Sequence, residues 1–446
     1  MAGLNTEDEL SLPCVITTIN VADEVTLTAP NSATKGPVTN LQADNMTEWL
    51  TQDAKRGKTW ITGPVNTQNW IGAFGLAGHN LSQDAKLLWG FYDETPLVDE
   101  SELQGSPFIW GSGWSNTGSV INVVDSSGET FLDAYSGLKF DLEGAFLFIF
   151  KVENWEVDSG TPRLRVKWTN DDNYEMWFHD PIQIDGAGTY AIYVNFDYPH
   201  YNSVAPLQSW DPENDEYYSQ PGTWVWDIEG GNATFDITEF ALYQVGYSNL
   251  DDKGRWPAAY YPLVPFGAGL WGQWLFGGRI SDEEAAELNI DSLIVLEEDQ
   301  ILEPNDASRR FFMLIDDPDN VDGYIRARRL VVGSYLSFEI DFQACTITIQ
   351  NDSSYEQNDE GNEFSEKAVI YRIFEIRFDE LQPEELEAYQ MIERYFGAGA
   401  LHFLSLSPNE ESGYHLFTAL CFTKEPPKGK PRFQRGEKTI KFYEVH

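Results

Sequence analysis

The sequence predicts a mainly β protein built from packed antiparallel sheets, and three observations carry that prediction. Short alternating apolar and polar segments recur along most of the chain, separated by Asn, Gly, Pro and Asp clusters. Aromatic residues make up 14% of the chain, with 15 Trp, 21 Tyr and 27 Phe, and such side chains favour pleated, half-buried surfaces. Only two segments carry a convincing helical period.

Taken in order, Val15–Val21, Val25–Thr28, Thr59–Gly63, Trp70–Leu76 and Leu87–Tyr92 read as strands. A denser group follows over 106–245: Leu138–Leu142, Phe146–Val152, Leu164–Trp168, Tyr174–Phe178, Tyr190–Phe196, Thr223–Ile228 and Thr234–Tyr243. Regular short strands with turn residues between them point to sandwiches rather than to a parallel α/β sheet. One helix is expected at Ser281–Leu288, where Ser281 supplies the N-cap and Glu284 the capping-box partner. The other is Gln382–Phe396, with an apolar stripe of Leu386, Tyr389, Met391, Ile392, Tyr395 and Phe396 closed by Gly397. The polar stretch Asn351–Glu363 reads as a long exposed loop.

A chain of 446 residues exceeds one ordinary core and implies several domains. Its net charge of −43, from 72 acids against 29 Lys and Arg, excludes a nucleic-acid partner, because phosphate binding needs cations to replace counterions. Three cysteines, Cys14, Cys345 and Cys421, make no disulfide framework and fit cytoplasmic synthesis. Met1–Leu10 is polar and acidic, unlike a signal peptide, and no apolar run reaches the ~18 residues of a membrane span. The end of the chain departs from the overall charge. Lys424, Lys428, Lys430, Arg432, Arg435, Lys438 and Lys441 face only Glu425 and Glu437 in this stretch. It reads either as a solvated end or as an assembly contact for an acidic neighbour, through Lys428, Lys430, Arg432 and Arg435.

Two distant stretches resemble one known unit. Asn40-Leu41-Gln42, Thr59-Trp60-Ile61 and Gly72-Ala73-Phe74-Gly75 lead to Leu76-Ala77-Gly78-His79-Asn80-Leu81-Ser82. Far downstream come Pro265-Phe266-Gly267, Trp271-Gly272, Arg310-Phe311-Phe312 and Ile315-Asp316-Asp317-Pro318. Asp322-Gly323-Tyr324-Ile325 and Arg329-Leu330-Val331-Val332-Gly333 complete the set. Together they resemble the discoidin-like (galactose-binding-like) jelly roll of minor tail and tail-tip proteins of tailed phages, with Arg328-Arg329-Leu330 in place of that family's Gly-Arg-Leu. Tyr371–Ile376 and the helix after it resemble the end of the same proteins. The resemblance implies a discoidin-like jelly-roll β-sandwich split by an inserted second jelly-roll sandwich, whose closing strand Ala233–Tyr243 is similar to that of carbohydrate-binding jelly rolls, and a C-terminal α+β module. The corresponding division is an N-terminal arm at 1–11, an outer jelly roll from 12–104 and 246–350, the insertion at 105–245, and the α+β assembly module at 351–446. It implies a virion tail location, other tail proteins as partners, a homo-oligomeric ring around the tail axis, and host-surface glycan as a ligand.

Trp210, Tyr217 and Tyr218 lie among Asp211, Asn214, Asp215 and Glu216, the mixture of flat rings and hydrogen-bonding groups that grips a sugar. His179 follows an aromatic, polar strand and joins them as a glycan or receptor candidate; its neighbour Asp180 points to the opposite face, so the two make no catalytic dyad. Asp171, Asp172 and Asn173 offer hard oxygens to a structural Ca²⁺, as does Asp316–Asn320, yet neither matches a helix-loop-helix calcium pattern and turns use the same residues for their own backbone. No other cofactor is expected. His79 reads as a strand-to-turn corner. Motifs of serine hydrolases, zinc proteases, phosphate loops and dinucleotide sites are missing from the sequence, so the expectation is a non-enzymatic tail component. The rivals are a stand-alone carbohydrate-binding protein and a glycan-degrading enzyme with accessory jelly rolls.

Overall fold

The structure, a computed structural model, describes residues 11–44, 46–54, 57–65, 70–82, 85–99, 108–109, 112–118, 120–126, 129–132, 145–170, 175–177, 186–195, 222–248, 290–295, 309–341, 345–351, 354–357, 363–366, 370–381, 399–406, 418–424, 428–432 and 435–445. Among the described residues it is mainly β, with 70% strand and 4% helical residues in antiparallel sheets, one of them curled into a half-barrel. The expected helices Ser281–Leu288 and Gln382–Phe396 lie outside the described residues. No helix among the described residues is long and apolar enough to cross a membrane.

A ten-stranded sheet follows the order Ile290–Val295, Ala73–His79, Arg329–Asp341, Ser11–Asn20, Leu401–Ser405, Thr418–Thr423, Arg435–Glu444, Ile370–Leu381, Cys345–Asn351, with Lys428–Arg432 added against Arg435–Glu444. Ser11–Asn20 sits at its middle, with Arg329–Asp341 on one flank and Leu401–Ser405 on the other. One strand therefore ties the early, the middle and the last parts of the chain into a single ladder. The inner face of the curl is filled by Val15, Ala73, Ala77, Leu293, Val331, Phe403 and Leu420. Gly75 is required there: a Cβ would stand 2.5 Å from the Phe403 ring.

The curl is held by a carboxylate. The ladder between 290–295 and 73–79 slips between Ile290 and Ser292, and Gly78 takes a φ of +60° at the irregularity. Asp291 accepts the Gly78 backbone N–H at 2.8 Å and, through its other oxygen, the Leu420 N–H at 2.7 Å. It thus joins the first strand of the sheet to the sixth. Burial pushes the Asp291 carboxyl up to about 6; the two N–H bonds and Arg372 oppose the rise, while Glu444 adds to it.

The second large sheet contains Lys86–Asp93 between Arg309–Asp316 and the long Gly222–Ser248 strand. Trp60–Pro64 pairs with Arg309–Asp316 on the far side. One face of these strands, Leu87, Trp89, Phe91, Phe311, Met313 and Ile315, packs on Phe74, Leu76, Leu330 and Val332 of the curled sheet. Their other face, Leu88, Tyr92, Phe312 and Leu314, packs with Trp60 on Ala145, Leu147, Ala191, Tyr193 and Val245. Strands buried on both faces read as continuous apolar runs, as Leu87–Tyr92 and Phe311–Ile315 do.

The segments expected as separate strands at Phe146–Val152 and Leu164–Trp168 are parts of one strand, Ala145–Asn170, paired along its length with Gly222–Ser248. Side-chain period misses this continuity because the residues between, 153–163, are mostly polar and include Gly160 and Pro162; backbone hydrogen bonds carry the ladder through them. The ladder doubles over where Gly160 and Gly230, both at positive φ, meet Gly231. A Cβ on Gly231 would fall 2.1 Å from the Ser159 carbonyl oxygen. Doubling brings Trp226 of the outer half to 5.0 Å from Phe150 and 5.4 Å from Phe240 of the inner half. One core then holds Phe146, Phe148, Phe150, Leu164, Trp226, Ile228, Phe235 and Ile237 together with Ile121, Val123 and Tyr190.

Three further expectations change. Val25–Thr28, expected as a strand, makes only an isolated bridge between Thr28 and Thr62 after the helical turn Val21–Glu24. The strand expected from Trp70 begins at Ala73, because Trp70 is exposed and the curl is entered through the Gly72 N–H bond to the Gly333 carbonyl. The stretch Asn351–Glu363 is not a plain loop: Ser354–Gln357 pairs with Glu363–Glu366 as a hairpin, in which backbone pairing outweighs the polar composition.

Two carboxyls, Asp291 and Asp23, are raised to about 6, chiefly by burial; for Asp23 that outweighs its ion pair with Arg329 at 2.5 Å. A folded-state pKa above the unfolded one means that the native state binds the extra proton, so these groups lose stability as pH rises from about 4 through 6. The melting temperature is therefore expected to rise on acidification from pH 7.5 to pH 5, and the rise should shrink in Asp291→Asn. A melting temperature that falls over this interval would contradict the assignment. Gly231→Ala should cost about 1–3 kcal/mol in a denaturant titration, since the facing backbone must move.

Candidate functional site

The surface most suited to a ligand, among the described residues, lies on the doubled ladder. Along Ala233–Thr238, Ala233, Phe235 and Ile237 point into the core, so Asn232, Thr234, Asp236 and Thr238 form a row on the other face. Val120–Ser126 flanks this strand on one side and Ala145–Asn170 on the other. Asp236 accepts the Asn122 side-chain amide at 2.7 Å and the Asn154 amide at 2.6 Å, one from each neighbour. Thr234 donates its hydroxyl to Asp158 at 2.9 Å and accepts the Asp125 backbone N–H at 3.0 Å. Asn232 donates to Asp125 at 2.9 Å.

Backbone irregularities aim these groups. Asp125 (φ 43°) and Asn154 (φ 53°) adopt left-handed conformations where the two ladders slip register. Asn and Asp tolerate this conformation better than other non-glycine residues. The exposed Val124 and Val157 border the polar row, and Trp155 lies below it against Phe235 with ring centroids 4.9 Å apart. At the inner end, Lys151 bridges Glu153 at 2.7 Å and Glu239 at 3.2 Å, and these hydrogen bonds raise its pKa. The result is a solvent-facing grid of carboxylate and amide groups at strand spacing. Such a grid accepts and donates hydrogen bonds to a hydroxyl-rich ligand, and its apolar borders fit the ligand's C–H faces.

Trp210, Tyr217, Tyr218 and His179 lie outside the described residues, as do Asp171, Asp172 and Asn173. Lys428, Lys430, Arg432 and Arg435 belong to a hairpin in which Lys428 pairs with Thr439 and Arg432 with Arg435. The polar grid escaped sequence reading because its members are about 80–115 residues apart. The alternation Asn232–Thr234–Asp236–Thr238 was the available signal.

His79 occupies the corner expected of it. It is fully buried, and burial together with Arg326 lowers its pKa to about 3, so the ring is neutral. Beside it two distant stretches of the chain interlock. Asn80 accepts the Arg326 N–H at 2.7 Å and donates to Asp322 at 2.7 Å and to the Tyr324 carbonyl at 3.0 Å. Asp317 accepts the Ser82 N–H, the Ser82 hydroxyl and the Asn320 amide, all within 2.9 Å. Its oxygens are thus engaged by donors, as in a turn. Among the described residues no group of three or more His, Cys, Asp or Glu is arranged to hold a metal ion.

Compared with known protein families, the chain matches no family model, and no curated protein matches it.

Proposed function

We propose that this chain is a non-enzymatic structural component of a phage tail tip, in which a discoidin-like jelly roll carries an inserted carbohydrate-binding-like jelly roll. The observation that carries the reading is the interlock of Gly78–Ser82 with Asp316–Arg326. These stretches are some 240 residues apart, and Asn80, Ser82, Asp317, Asn320 and Asp322 bind one another directly. The resemblance to the tail proteins requires that union. The basic C-terminal hairpin serves as the contact with acidic tail neighbours, in a ring of identical copies.

Adsorption to host-surface glycan is assigned to the inserted jelly roll, where the grid around Asp236 supplies the hydrogen bonds. A non-catalytic role fits the chemistry of the sealed groups. His79 and His402 are buried and lowered, and the Cys14 and Cys421 thiols are pushed up by burial, which disfavours thiolate. A second reading, a glycan-binding protein acting alone, is favoured by the same grid.

Two measurements separate these readings. Gold-labelled antibody against the chain should mark the tail end of virions of the phage that encodes it; unlabelled particles would remove the tail assignment. On an array of host-surface glycans the chain should bind, and Asp236→Asn should weaken binding about tenfold, the usual cost of a charge-assisted hydrogen bond. Array binding without virion label selects the stand-alone reading. Absence of array binding withdraws the glycan role.

A further inference from the structure

The inner face of the curled sheet carries a row of side chains that crosses four neighbouring strands. Leu401 is the cross-strand partner of Phe422, Phe422 of Tyr443, and Tyr443 of Ile373. Tyr371, two residues before Ile373, shares its face. Leu420, two residues before Phe422, packs inside the curl with Val15, Phe403 and Leu293. The row therefore extends the inner surface of the curl towards solvent, where Tyr371, Phe422 and Tyr443 are half-buried.

An ammonium group already rests on these rings. Lys424 is exposed, and its Nζ lies 4.1 Å from the Tyr443 ring centroid, 5.8 Å from Phe422 and 5.9 Å from Tyr371. The Phe422 and Tyr443 centroids are 5.8 Å apart with ring planes at 35°, so the two faces tilt around a shared space. Three ring faces converging within about 6 Å of one cation form an aromatic cage, and the negative faces of the rings favour positive charge there.

Lysine is a weak occupant of such a place. Its ammonium is compact and strongly hydrated, and it gives up water to approach the rings. A quaternary ammonium has no N–H to desolvate and presents methyl groups to the aromatic faces, so it gains more from the same contact. We propose that Tyr371, Phe422 and Tyr443 form a binding site for a quaternary or methylated ammonium group, which Lys424 fills until such a ligand displaces it. This site stands independently of the tail-tip reading.

The test uses the full chain and tetramethylammonium chloride as the probe, with sodium chloride at equal ionic strength as the reference, followed by calorimetry and by the tyrosine ring signals in NMR. Lys424→Met keeps the stem, removes the competing charge and sits at an exposed position. It should bind tetramethylammonium about 2- to 5-fold more tightly than the unmodified chain, the worth of one exposed cation–π contact. Tyr443→Leu should lose the binding, and Tyr443→Phe, which preserves the ring, should retain it. Equal or weaker affinity in Lys424→Met overturns the proposal by itself. So does binding in Tyr443→Leu that matches the unmodified chain.

Discussion

The arrangement depends on the two hydrogen bonds made by Asp291. A sheet whose first strand meets its sixth has curled far enough to enclose a core, and the meeting point must satisfy backbone groups that no regular ladder reaches. Gly78 has its N–H freed by a register slip, and Leu420 lies on a strand from near the end of the chain. One carboxylate answers both. Its burial is costly, as the raised pKa records, and that cost is borne because two orphaned N–H groups in the same place would cost more.

The curl also explains why such distant parts of the chain form one body. Ser11–Asn20 hydrogen-bonds to a strand more than 300 residues later on one side and to another nearly 400 residues later on the other. Asn20 adds to the first contact by donating to the Leu330 carbonyl and accepting the Val332 N–H. His402 and Phe403 reach Thr17 from the second. The doubled ladder is joined to this body by the pairing of Gly222–Ser248 with Lys86–Asp93 and by a shared apolar layer. Trp60, Tyr92 and Phe312 contact Ala145, Ala191 and Tyr193 there, and the Trp60 ring N–H reaches the Thr189 carbonyl. The polar row on the doubled ladder is consequently carried on the same packed layers as the second sheet.

Much of the local structure was legible in the sequence. Leu87–Tyr92 and Thr234–Tyr243 announce themselves by an apolar run or by alternation, and the glycine and Asx clusters mark their ends. The corner at His79 was also readable, because a polar residue that ends an apolar strand needs backbone partners. The candidate ligand surface was not. Asn122, Asn154 and Asp236 are unremarkable singly; only pairing of three strands places two amides on one carboxylate. Nor does any local pattern show that Lys424 ends over three rings, since the rings come from three strands and the lysine from the residue after one of them.

The sequence by itself determined that this protein is β-rich, strongly acidic and without a long apolar helix in the segments seen, because side-chain period and charge are local and additive. Tertiary structure decided which strands are neighbours, where the long ladder doubles over, and which polar groups converge. Those outcomes rest on backbone hydrogen bonds between residues hundreds of positions apart, and on glycines whose missing Cβ matters only once another chain segment arrives. No window along the chain contains both partners of such a contact.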